Sequence, residues 1–150
     1  MTTHSISKFA ATLAAVLTVA FAAPSMRAEG PEMHAKVNVP FAFELGDKHF
    51  EPGVYNLSLQ GEHILRIAGN SDSTIAMIMQ DTSSKPSRES KVVFQHVGNK
   101  YFLSQVWSAG DAEHIQTIPT PSERRSQESL QASSAVPASS VAIAMLQAGH

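Results

Sequence analysis

Few side chains in this sequence could do chemistry, and their spacing decides which chemistry is open to them. His34, His49, His63, His96 and His114 fall within residues 33–118, and His150 ends the chain. None stands in H-x-H or H-E-x-x-H spacing, so no histidine metal site is expected from the sequence. Met77 and Met79 flank Ile78 and would share one face of a strand, together with Ile75. Paired thioethers suit a soft ion such as Cu(I), which makes Met77 and Met79 the only metal candidates. The competing reading is that they fill a core, as methionine commonly does.

Nucleophilic catalysis needs a hydroxyl or thiol with a base beside it. The sequence has no cysteine and no G-x-S-x-G elbow, and Ser71, Ser73, Ser83, Ser84, Ser87 and Ser90 cluster where turns are expected. Glu44 and Glu51 also fall at turns, so no facing pair of carboxylates is expected. The glycines are isolated turn residues and build no phosphate loop. A non-enzymatic protein without a cofactor is the expectation. The strongest binding candidates are His96, Tyr101, Gln105 and Trp107, which alternate along one hairpin, with His96 opposite Tyr101.

The elements that must position these residues are strands. Val37, Val39, Phe41 and Phe43 alternate with polar or small residues, the mark of a half-buried strand. Pro40 has no N–H to donate, which places that strand at a sheet edge or at a bulge. Residues 49–50, 54–60, 63–68 and 74–80 read as further strands, separated by glycine- and proline-bearing turns. Residues 91–107 form a hairpin over Gly98 and Asn99, a pair suited to a type II′ turn. In that register Phe94 faces Leu103, Val92 faces Gln105 and Val93 faces Ser104. Both faces of the hairpin are partly apolar, so it belongs in a sheet covered on both sides or in a closed barrel. Trp107, beside a loop at 108–114, is the aromatic placed to reach a surface. The expected fold is all-β, a single antiparallel sandwich or barrel of about six to eight strands.

The C-terminal third differs. Thr120, Pro121, Ser122 and Glu123 form a capping box with proline at the first helical position, predicting a short helix over 119–131. Residues 132–150 are an Ala/Ser-rich tail whose apolar end, 140–146, could be a last strand, a docked helix or a sticky tail. At the other end, Lys8 precedes an apolar run at 9–23 containing Ala20, Phe21 and Ala22, the pattern of a Sec-type signal peptide. Residues 1–22 are expected to be removed, with an alternative cut after residue 28, and 23–32 to be a loose leader. The β domain then occupies 33–118. The apolar run is short of the ~20 residues a span requires, so no membrane span is expected after cleavage.

Composition narrows the partners. Of 150 residues, 43% are hydrophobic and 16% charged, enough for one domain with a core. Eleven basic and 13 acidic residues, net charge -2, are scattered singly and leave no stripe for a phosphate backbone, so nucleic acid is not an expected partner.

Three stretches also carry a resemblance: 37–43 with Gly46 and Pro52, Gly53 and Tyr55; Val93 and Phe94 with 98–107; and Ile118 and Pro119 with Ser122, Glu123 and Arg124. Together they resemble small exported β-domain proteins of unknown function that are common in Acidobacteria and related soil bacteria. The resemblance spans about residues 35–130 and implies export and a β fold, but it transfers no catalytic residue. In that group the third stretch is more basic, and here Thr120 and Pro121 take the place of lysines. The functional expectation is a periplasmic or secreted binding or structural module, working through a sheet edge or its helix and tail on an unknown protein or envelope component. The alternative is a barrel-type carrier of a small apolar ligand, with an enzyme or a copper-handling protein as lesser readings.

Overall fold

The structure is a computed structural model and describes residues 33–146; the expected signal peptide, its expected cleavage sites and the expected leader at 23–32 lie outside them. In chain order the elements are β1 (His34–Val39), β2 (Phe43–Leu45), β3 (Lys48–Phe50), β4 (Gly53–Gln60), β5 (Ile64–Ala68), β6 (Ser73–Thr82), β7 (Lys91–Val97), β8 (Lys100–Trp107), β9 (Glu113–Thr117), α1 (Pro121–Ser133) and β10 (Ser139–Leu146). Eight strands, in the order β8-β7-β10-β1-β4-β5-β6-β9, close on themselves through a β8–β9 pairing. The all-β expectation holds, and the barrel is the form it takes.

Closure depends on the tail. β10 pairs along six residues of β7 and then with Lys36 and Val37 of β1. The β domain therefore runs on past residue 118, and its final strand lies beyond the helix. The expectation that β1 is an edge strand is overturned, because β4 and β10 flank it on both sides. Pro40 follows the last residue of β1, so its missing N–H costs no ladder bond.

Period-2 alternation sends one row of side chains inward. Val37, Val39, Tyr55, Leu57, Leu65, Ile67, Ile78, Val92, Phe94, Leu103, Val106 and Ile115 are buried in a single cluster. The β2–β3 hairpin closes one end of the barrel and adds Phe43, Leu45 and Phe50 to that cluster. Phe43 stacks on Phe50 at 5.0 Å and meets Phe94 and Tyr55 edge-on at 5.2 Å. Tyr55 lies against Gly69, where an added Cβ would come within 2.7 Å of the ring. β8 offers its second edge to two partners. β9 takes the half from Gln105 to Trp107, and β2 joins in parallel where Glu44 lies opposite Phe102.

The β7–β8 turn is built as expected. Gly98 has φ +64° and no described non-glycine residue, Asn99 included, has positive φ, so only the first turn position is left-handed, as in type II′. His96 faces Tyr101 and Phe94 faces Leu103. Beyond Leu103 the expected register fails. Val93 faces Gln105 and Val92 faces Val106, so Ser104 is an extra residue, a β-bulge. The Thr117 hydroxyl donates to the Leu103 carbonyl at 2.7 Å, with the Ser104 carbonyl 3.1 Å away, which satisfies the backbone where the ladder breaks.

Candidate functional site

The bulge separates the four hairpin residues. Side chains alternate across a strand, so one inserted residue reverses the face of everything after it. His96 and Tyr101 share the inner face, at the end closed by β2–β3. Their rings stack at 4.4 Å, Tyr101 stacks on Phe41 at 4.1 Å, and Phe41 meets Phe94 edge-on at 5.2 Å. Phe41 comes from the β1–β2 connection and plugs the barrel there. These residues act as wall.

Gln105 and Trp107 lie after the bulge and point outward. Trp107 Nε1 donates to Gln105 Oε1 at 3.0 Å. The indole stacks on His114 of β9 at 3.9 Å and 5°, and Lys91 of β7 holds its Nζ 5.7 Å from the ring centre. His114 is 7% exposed. Its Nε2 is 3.9 Å from Asp81 of β6, and its Nδ1 has no hydrogen-bond partner. Lys91, Trp107, His114 and Asp81 thus form a row across four neighbouring strands. The row has no hydroxyl or thiol hydrogen-bonded to the imidazole, so it lacks the parts of a nucleophilic site.

Met77 and Met79 also face outward, and the core-filling reading of them is overturned. Ile75, Met77 and Met79 are 60%, 66% and 49% exposed. The cross-strand neighbours of the two methionines are Ile64 and Gln116, neither a soft ligand. Among the described residues no group of three or more His, Asp or Glu side chains could hold a metal ion. Ile118 borders the stripe, its N–H donating to the Met77 carbonyl at 2.8 Å. Beside the stripe, across β1, β4 and β5, lies an open groove of about 350 Å³ lined by His34, Lys36, Asn56, Ser58 and Arg66.

Residue-level pattern reading missed a second feature, the cleft between α1 and the β2–β3 turn. It measures about 200 Å³ and is lined by Glu44, Asp47, Lys100, Ser122, Glu123 and Ser126. Glu123 is 5% exposed. It takes part in the expected capping box, its N–H donating to the Thr120 hydroxyl at 3.2 Å. Its carboxylate does more than cap. It accepts from the Gly46 N–H at 2.9 Å and from Gln127 at 3.3 Å. Burial pushes its pKa up to about 7, the Gly46 and Thr120 N–H groups oppose the rise, and the charges of Asp47 and Glu44 add to it.

Asp47 accepts from the hydroxyls of Thr120 and Ser122, which hold its carboxyl below the usual range. Burial opposes the charge on Glu44, but hydrogen bonds from His49 and Lys100 outweigh it and keep that carboxyl low. A carboxyl poised near neutrality can act as an acid or base. Here both oxygens of Glu123 are taken up, one by Gln127 of the same helix and the other by the Gly46 N–H, which ties the helix start to the hairpin, so the arrangement works as a latch. The T-P-S-E string announced the cap; nothing in it announced the turn that packs onto the cap.

Compared with models of protein families, with curated proteins and with solved structures, the chain has no match.

Proposed function

We propose that this chain is an exported, non-enzymatic binding module whose recognition surface is the outer wall of its barrel around β5 and β6. The observation that carries the reading is the exposed run Ile75, Met77 and Met79, bordered by Ile64 and Ile118, on a wall that also presents the polar Arg66, Gln116 and Asp81. A contiguous apolar stripe rimmed by polar groups is costly to leave in water and commonly marks a contact with a partner. Export rests on Lys8 and the apolar run at 9–23.

A closed eight-stranded barrel also favours the carrier reading, since barrels of this size can hold one small ligand. Against it stands the packing of Phe43, Phe94, Leu57, Leu65, Ile67 and Leu103 inside. Native mass spectrometry of the mature protein from its own host separates the two. A chain carrying no small molecule supports the module. Extra mass that leaves on denaturation overturns it in favour of the carrier.

A further inference from the structure

We infer that the β5–β6 wall pairs with the same wall of a second copy of this chain about a two-fold axis. The inference rests on the reading of that wall as a binding surface and names its partner. From Ile75 to Asp81 the outward side of β6 runs about 20 Å, at ~3.3 Å per residue. Ile64 and Ile118 widen the apolar stripe on either side of Met77.

The charges at the two ends are opposite. Arg66 of β5 lies directly across from Ile75, at one end. Asp81, with a side chain 58% exposed, lies two residues past Met79 at the other. Glu62 is in the exposed turn leading into Ile64, at that same end.

A second copy turned over about an axis crossing β6 at Met77 runs antiparallel to the first. Ile75 then covers Met79 of the other copy, and Arg66 comes to the end bearing Glu62 and Asp81. The match occurs twice by symmetry. A stripe complementary to its own reverse is what an isologous contact requires, whereas a different partner would place no such demand on both ends. Flexible methionines at the centre can repack against each other. β6 is already paired to β5 and β9, so the contact is between side-chain faces and not by strand addition. Three strands wide, the footprint is on the order of 300 Å² per copy, well short of the roughly 800 Å² per partner of a stable interface, so the dimer is weak and transient.

Sedimentation equilibrium of the mature chain from about 1 to about 300 μM tests this. A monomer–dimer equilibrium is expected, abolished in Met77→Glu with the far-UV spectrum unchanged. Arg66→Glu should raise the dissociation constant several-fold, and adding Glu62→Arg should recover most of that loss. A wild type that stays monomeric, a Met77→Glu chain that dimerises as well as wild type, or a charge reversal without recovery overturns the self-pairing. A monomer free of small molecules leaves the binding-module reading standing, whereas a bound small molecule overturns that reading and not the dimer.

Discussion

Replacing Glu123 with glutamine keeps the shape of the latch and removes its charge. In the folded chain Glu123 titrates at about 7 against an ordinary value of 4.5. The folded state therefore holds its proton over a pH range where the unfolded state has lost it, and stability falls as pH rises from about 4.5 through about 7. At about 1.4 kcal/mol per unit the shift is worth roughly 3 kcal/mol, and the solvent in the adjoining cleft screens this to about 1–2 kcal/mol.

Glutamine pays no such penalty. Its amide oxygen still accepts from the Gly46 N–H, and Gln127 can turn its own amide to suit. Urea unfolding followed by Trp107 fluorescence at about pH 4 and about pH 8 gives the two stabilities for each chain. Glu44 and Asp47 stay the same in both, so their opposite pH dependence largely cancels in the difference. The expected result is near-equality at the acid end and a gain of about 1–2 kcal/mol for Glu123→Gln at the alkaline end. A difference that does not change with pH would falsify the assignment of a buried, poised carboxyl to this latch.

Phe41→Ala should remove the stack on Tyr101 and the edge contact with Phe94, costing about 2–3 kcal/mol in chemical denaturation; a cost below about 0.5 kcal/mol would mean that the end of the barrel is not plugged there. Gly69→Ala drives a Cβ to within 2.7 Å of the Tyr55 ring and should cost about 1–3 kcal/mol, most of it recovered when Tyr55→Leu is added. Additive losses in the double variant would show that the two residues do not meet. Deleting residues 134–150 removes β10 and exposes the edges of β7 and β1, so the shortened chain should lose its near-UV circular dichroism and aggregate. A soluble, cooperatively folding product would refute the role of β10 in closure.

Much of the barrel could be read from local pattern. The period-2 runs on β1, β4, β6, β7 and β8 mark strands because a half-covered sheet imposes that period on any sequence that folds into it. Gly98 selected the hairpin turn through its left-handed φ, and Thr120 with Glu123 set the helix start, since both are decided within four residues. β9 escaped notice because Glu113–Thr117 is too short and mixed to alternate clearly. Its place in the sheet comes from pairing with β6 and β8.

What decided the site was long-range. The bulge at Ser104 depends on the partner strands and on the Thr117 hydroxyl, and it alone turns Gln105 and Trp107 away from His96 and Tyr101. The tail's apolar residues were equally compatible with strand, helix or loose end until the open edges of β7 and β1 supplied ladder partners. Glu123 became a poised carboxyl when the β2–β3 turn covered it, 77 residues away in sequence. Local alternation and turn chemistry were written in the chain, whereas burial, register and pKa belong to groups that only folding brings together.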